Sequence, residues 1–284
     1  LTDPVAGTDA AVQRLDAALV SRGHARSRTL AARLIADGLV TVDGRAVVKP
    51  AAKVRATSQI EVAGADHYVS RGAHKLLGAL DAFGVDPTGR LALDVGASTG
   101  GFTQVLLERG ARHVIALDVG HGQLAPEIAI DERVSVIEGF NVRDLTRENL
   151  AGASAVSQSP TLVVGDLSFI SLTHVLGPLQ RTVAQESDFV LLIKPQFEVG
   201  RGGIREGIVR SDALRADAIA TVLWHAWDLG LGTSGLIESP IVGGHGNREY
   251  LAWFRPAGPA VNPPSDAGRN PTEWLDTITE IAGA

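Results

Sequence analysis

No cysteine and no methionine occur among the 284 residues of this chain. Without cysteine there is no disulfide scaffold, zinc ribbon, iron–sulfur cluster or thiol nucleophile. Long apolar runs are missing too. The longest clear stretch, Phe189 to Ile193, is the length of a strand, far short of the ~18 residues of a membrane span. The histidines show no close H-x-x-x-H spacing, so no metal site is expected. No secretion signal is recognisable near the N-terminus, and the expectation is a cytoplasmic protein without a membrane partner. The 32 Asp+Glu against 26 Lys+Arg leave a net charge of −6, which taken alone argues against nucleic acid. Apolar residues at 45% and charged residues at 20% fit a globular chain with a sizeable core. At roughly 100–200 residues per domain, the length suits one large domain or two ordinary ones.

The charge is unevenly spread. Residues 1–64 hold nine bases and six acids, whereas the other 220 residues hold 17 bases and 26 acids. A basic module joined to an acidic one hints at nucleic-acid contact by one part of the chain. The texture changes at the same place, which divides the chain into a domain at 12–64, a linker at 65–70 and a larger domain with a C-terminal tail at 71–284. The first domain reads as two short helices and a hairpin. Leu15 and Leu19 lie one turn apart. Ser27 caps a second helix with Leu30, Ala31, Leu34 and Ile35 on one face, and Gly38 stops it. Asp43-Gly44 is a type I′ hairpin signal after Val40 and Val42. Arg14-Leu15-Asp16, Ser27-Arg28, Ala31, Leu34-Ile35, Gly38 and Val42-Asp43-Gly44 together resemble an S4-type RNA-binding domain. The resemblance assigns RNA contact to Arg14, Arg22, Arg26, Arg28 and Arg33, whose guanidinium forks match phosphate oxygens. The alternative is that these arginines only solvate a helical face.

From Leu91 onward apolar strands (91–96, 113–119, 134–138, 161–166, 189–194, 235–238 and 249–254) alternate with helical stretches. That alternation predicts an α/β fold with a mostly parallel, seven-stranded sheet covered by helices on both faces. Residues 256–271 read as a loop, and a short helix is expected around Glu273 to Ile281. Leu91 to Gly101 reads as strand, glycine turn and helix start, and the next strand ends at Asp118, suited to accept from ribose hydroxyls. The turn is not the dinucleotide fingerprint, and no phosphate-binding lysine follows it. The Asp94-x-Gly96-x-x-x-Gly100 pattern with Asp118 resembles a Rossmann-like S-adenosylmethionine methyltransferase. That resemblance makes Asp94, Gly96, Ala97, Ser98, Gly100, Gly101, Phe102, Asp118, Asn141 and Asp166 candidate cofactor contacts. Asn141 and Asp144 could equally cap the next helix.

Ligands of open α/β sheets bind at the carboxyl ends of the strands. Asp166 follows the run Val163-Val164-Gly165, and Lys194 follows Leu191-Leu192-Ile193. Glu249 opens a late strand after the glycine-rich loop 243–246, and Lys75 lies in Ser70-Arg71-Gly72-Ala73-His74-Lys75-Leu76. The order Lys75, Asp166, Lys194, Glu249 resembles the tetrad of ribose 2′-O-methyltransferases. With the S4-like front end and the segments SRGAHKL and KPQFEVG, residues 12–256 resemble the TlyA family. Its members bear a haemolysin name but methylate cytidine ribose in ribosomal RNA using S-adenosylmethionine. The resemblance implies those four residues as catalytic, the ribosomal subunits or their RNA as partners, and no metal. A lysine serves as a base only when desolvation or a neighbouring cation lowers its pKa, whereas carboxylates favour its charged form. The proton acceptor therefore stays open at this level. Ser168 and Ser171 have no His/Asp partners of the hydrolase kind. Rival readings are a membrane-acting haemolysin, a non-catalytic assembly factor and a base methyltransferase. The missing apolar span weighs against the first and the complete tetrad against the second. Base-nitrogen methylation does not call for two lysines around a hydroxyl.

Overall fold

The computed structural model describes residues 12–25, 27–36, 38–62, 67–243, 246–258 and 267–284. They fall into two compact units that divide between His67 and Tyr68. The sequence-expected Arg26, part of the 65–70 linker and Gly244-His245 lie outside the described residues.

In the first unit β1 (Val12–Arg14) precedes α1 (Leu15–Ser21) and α2 (Arg28–Ala36), followed by β2 (Val40–Val42), β3 (Arg45–Ala46), β4 (Lys53–Arg55) and β5 (Ile60–Val62). β1 pairs with β4, and β2 lies between β3 and β5, all antiparallel. Leu15, Leu19, Ala31 and Ile35 pack with Val40, Val54 and Ile60 in one small core. The Ser27 hydroxyl accepts from the Leu30 amide at 3.2 Å, and Gly38 ends the helix region at φ +73°. Asp43 and Gly44 both have positive φ, the type I′ geometry that the dipeptide favours. The pattern reading of two helices and one hairpin omits β1, β4 and β5. Each has three residues, too few for a period-2 alternation to be visible.

The second unit begins with α3 (Gly72–Phe83) and continues through β6 (Leu91–Val95), α4 (Gly101–Glu108), β7 (His113–Leu117), α5 (Pro126–Ala129) and β8 (Val134–Ile137). Then come α6 (Arg147–Ser154), β9 (Leu162–Gly165), α7 (Leu176–Thr182), β10 (Asp188–Ile193) and α8 (Pro195–Glu198). The chain ends in α9 (Asp212–Asp228), β11 (Leu231–Glu238), β12 (Tyr250–Pro256) and α10 (Leu275–Ala282). The seven strands run in the order β11-β12-β10-β9-β6-β7-β8, parallel except for β12, which is antiparallel to both its neighbours. β11 starts four residues before the expected strand at 235. Gly232, Thr233 and Ser234 interrupt its apolar pattern, and a bulge lies between Thr233 and Gly235.

Successive residues of the central strands enter opposite cores. Leu91, Leu93 and Val95 face one cluster and Ala92 the other, and in β10 Phe189, Leu191 and Ile193 oppose Val190 and Leu192. Burial on both faces explains why these strands read as unbroken apolar runs. The chain winds outward from β6 to β8, then returns to β9 on the other side of β6. The crevice at the carboxyl ends of β6 and β9 is therefore a topological switch point, where ligands of such sheets bind.

Candidate active site

Three adjacent strands deliver three of the expected catalytic groups to that edge. Asp166 follows β9 and Lys194 follows β10, whose parallel register sets Gly165 beside Leu191. Glu249 precedes β12, whose antiparallel register sets Tyr250 beside Ile193. Lys75 comes from the first turns of α3. The N-termini of α3 and α4 meet closely: a Cβ on Gly101 would strike the Ser70 hydroxyl and lie 3.1 Å from the Ala73 amide nitrogen.

The four side chains form one ion network. Lys75 Nζ is 2.7 Å from Glu249 Oε2 and 3.1 Å from Asp166 Oδ2, while Lys194 Nζ is 2.6 Å from Asp166 Oδ1. Asp166 thus gives one oxygen to each lysine. Only 10% of the Lys75 side chain, 9% of Lys194 and 3% of Glu249 is exposed. Burial alone would lower the Lys75 pKa, but the Asp166 and Glu249 carboxylates outweigh it and hold the amine above its ordinary value. Burial would likewise raise Asp166, and the Lys194 and Lys75 ammonium groups hold it below the usual carboxylate range instead. Lys75 therefore stays charged between two carboxylates, whereas Lys194 faces one shared carboxylate and the neutral Ser168 hydroxyl, to which it donates at 2.8 Å. Ser168 has no hydrolase partner, yet it touches Lys194, one of the four expected catalytic residues. Residues 26 apart in sequence leave no spacing signal for such a contact.

A cavity of about 850 Å³ opens beside this network, lined among others by Gly96, Ser98, Asp118, Asn141, Asp166 and Ser168. The glycine turn is held at its mouth by Asp118, which accepts from the Ser98 amide at 2.8 Å and the Gly120 amide at 2.7 Å. Each carboxylate oxygen has a second lone pair, so Asp118 can still accept from a ligand hydroxyl. Gly96 has φ +79°, and a Cβ there would lie 3.0 Å from the Asp166 carbonyl oxygen, so this position needs glycine. Asn141 lines the cavity and also caps the turn Val142–Asp144 through the Arg143 amide. Both sequence alternatives for it coexist.

The remaining expected cofactor residues stand behind the cavity wall: Asp94, Ala97, Gly100, Gly101 and Phe102 are not among its lining residues. Asp94 is fully buried. Its Oδ2 accepts from Thr103 at 2.6 Å and its Oδ1 has no partner. Burial pushes this carboxyl up to about 7.

Phe169 was not singled out by the sequence. It is 92% exposed, has φ +65° and rests on Phe197 with ring centroids 5.2 Å apart. A large side chain in left-handed backbone is strained and is found where surrounding structure imposes it, often at functional sites. Both rings line the cavity.

In the first unit, Asp16 gathers Arg14 (3.0 and 2.9 Å) and Arg28 (3.0 Å), and these hydrogen bonds hold its carboxyl well below the usual range. Arg22 donates instead to the carbonyls of Ser58, Arg55 and Ala56. Arg33 is exposed on α2.

Residues 68–256 match the FtsJ-like methyltransferase family and residues 13–60 match the S4 domain. The 16S/23S rRNA (cytidine-2′-O)-methyltransferase TlyA of Mycobacterium tuberculosis is 49% identical over 245 residues, covering 85% of this chain and 89% of that protein. Hemolysin A of Brachyspira hyodysenteriae is 40% identical over 242 residues, 85% of this chain and 99% of its own. A solved structure bearing a hemolysin name, from Streptococcus thermophilus, superposes with a TM-score of 0.73 at 34% identity, covering 96% and 94% of the two chains. A two-lysine, two-carboxylate network at the switch point of this sheet, in a chain whose residues 13–60 match an S4 domain, is thus accompanied by similarity along most of the chain, and the protein belongs to the FtsJ-like methyltransferases of the TlyA type.

Proposed function

We propose that this protein methylates the ribose 2′-hydroxyl of a cytidine in ribosomal RNA, using S-adenosylmethionine. The observation that carries the reading is the bridging of Lys75 and Lys194 by Asp166 beside the cavity, with Glu249 behind Lys75. A 2′-hydroxyl is a poor nucleophile and must lose its proton during attack. Lys75, fixed as a cation by two carboxylates, supplies positive charge near the developing oxyanion. Lys194, with one shared carboxylate, is the group suited to orient the hydroxyl and take its proton. Most of the acceleration comes from positioning and preorganised charge.

The cavity fits the cofactor. Its volume lies within the ~300–1,000 Å³ of small-molecule sites, the bare Gly96 admits close approach, and the lining Asp118 and Asn141 offer polar contacts. When bound, S-adenosylmethionine supplies an electrophilic methyl group on a sulfonium. Gly96, Ser98, Asp118 and Asn141 would hold it from the cavity wall. Phe169 offers a stacking face for an unstacked base, the usual means of recognising splayed RNA nucleotides.

RNA affinity is assigned to residues 12–64, the methyl transfer to residues 71–284, and the connection to residues 65–70. Asp16 holds the Arg14 and Arg28 guanidinium groups side by side while both keep N–H donors for phosphate. Two of the similar proteins carry hemolysin names, but among the described residues no helix is long and apolar enough to cross a membrane. Incubation with labelled S-adenosylmethionine and unmodified ribosomal subunits, followed by nuclease digestion and mass spectrometry, tests the reading. A 2′-O-methylcytidine product is expected. Base methylation, or no transfer to either subunit, would refute it.

A further inference from the structure

Ser168 occupies an unusual place in the network. Its hydroxyl accepts from Lys194 Nζ at 2.8 Å, it is exposed, and it lines the cavity that Lys194 itself lies behind. The loop that carries it is tied to the helix that follows the lysine. Ser171 donates to Glu198 Oε2 at 2.5 Å, and the Leu172 amide donates to Glu198 Oε1 at 2.9 Å. Glu198 lies in α8, directly after Lys194, and Phe169 rests on Phe197 of the same helix. Three contacts to α8 thus hold the loop against the helix that directly follows Lys194.

A lysine ammonium is a point charge on a four-carbon stem with three freely rotating donors. Its neutral amine has two N–H bonds and one lone pair. Ser168 Oγ accepts from Lys194 Nζ at 2.8 Å, and Asp166 Oδ1 is an ion-pair partner at 2.6 Å. The hydroxyl thus takes one N–H in a hydrogen bond, whereas the carboxylate draws the nitrogen by charge alone, its Oδ1 making no hydrogen bond. Ser168 itself lines the cavity, so its hydroxyl is the contact that directs the amine beside that cavity. Resting on the 2′-O-methyltransferase reading, we infer that Ser168 is a positioning residue: its hydroxyl, by accepting from Lys194, holds that amine beside the cavity, where it can take the proton of the substrate 2′-hydroxyl. In the step it serves, the 2′-O–H bond breaks and its proton forms a third N–H bond on Lys194. The electron pair left on oxygen forms the bond to the methyl carbon, and the pair of the broken carbon–sulfur bond returns to the donor's sulfur. Without the Ser168 oxygen, the amine loses the hydrogen bond that holds it there.

The test uses the full-length protein, S-adenosylmethionine and unmodified ribosomal subunits under single-turnover conditions with both substrates saturating. Ser168→Ala is expected to lower the rate constant about tenfold or more while leaving the dissociation constants for cofactor and subunit within twofold. Ser168→Thr, which keeps the hydroxyl, is expected to recover most of the rate. In a Lys194→Ala background, Ser168→Ala is expected to cause no further loss, because residues acting through one another are non-additive. Wild-type rates in Ser168→Ala, equal defects in the alanine and threonine variants at unchanged melting temperature, or full additivity with Lys194→Ala would each overturn the inference. Failure of the underlying reading would show differently, as no 2′-O-methyl product from the unaltered protein.

Discussion

The Lys75 ammonium donates to the Glu249 carboxylate at 2.7 Å, joining residues 174 positions apart. Both are almost completely buried, so removing either leaves an uncompensated charge, an effect that costs about 3–5 kcal/mol at buried sites. Lys75→Ala takes the cation from buried Glu249 and leaves Asp166 with Lys194 alone, and Glu249→Gln leaves Lys75 with Asp166 alone. We expect Lys75→Ala to be the more destabilising in urea denaturation, and both to reduce single-turnover methylation by about 10²-fold or more. Equal stability of the lysine variant and the parent would contradict the pairing.

The buried carboxyls predict two opposite dependences of stability on pH. Asp166 is held below its ordinary value, so the stability it lends is complete above about pH 4 and drains as pH falls through its folded pKa. Lys75 is held above its ordinary value; its contribution is complete below about pH 10 and drains as pH rises through its folded pKa. Asp94 acts in the reverse sense. Its folded pKa of about 7 means that the unfolded chain ionises first, so stability declines as pH climbs from about 4 to 7 and then levels. The decline is at most about 4 kcal/mol. Asp94→Asn, whose amide oxygen can still accept from Thr103, should remove that slope. Urea midpoints at pH 5 and pH 8 measure it, and parallel profiles for variant and parent would rule out the assignment.

Gly243 lies against the Glu249 carboxylate, where an added Cβ would collide with it. Gly243→Ala should push Glu249 away from Lys75. The expected result is a single-turnover rate lowered about tenfold, with cofactor affinity by calorimetry unchanged. A variant of normal rate would mean that the loop yields without moving the carboxylate.

Arg248, beside Glu249, forks onto Glu238 with two 2.6 Å hydrogen bonds and reaches the last carbonyls of α10, at Ile281 and Ala282. Buried Arg215 binds the Ala282 carbonyl as well. The cations complement the negative end of the helix dipole. Arg248→Ala should therefore loosen α10 and cost about 1 kcal/mol, since the pair is partly exposed. Hydrogen exchange of the α10 amides would report the loosening, and unchanged protection would argue against the tether.

The arginines of the first unit should separate by role. Arg14→Ala and Arg28→Ala are each expected to weaken subunit binding and to reduce the slope of log affinity against log salt by about one. Arg22→Ala, which removes three carbonyl contacts, should mainly lower the unit's stability, by about 1–3 kcal/mol. Deleting residues 1–67 should abolish most salt-dependent binding yet leave the second unit folded, because that unit contains its own cores on both sheet faces.

The carboxyl ends of the central strands were legible in the sequence alone. An unbroken apolar run marks a strand buried on both faces, and in a parallel sheet the polar residue that closes the run must emerge at the ligand-binding edge. Asp166 and Lys194 were legible for that reason, and the Asp43-Gly44 turn because two positive φ angles demand such residues. Only the tertiary structure decided which groups face one another. It put Asp94 behind the cavity, turned Arg22 onto backbone carbonyls, set Ser168 on Lys194 and pressed Gly243 against Glu249. Contacts of this kind join elements remote in sequence, with no period or fixed spacing between the partners. They exist only once packing has fixed every backbone around them, and they decide which groups each lysine meets.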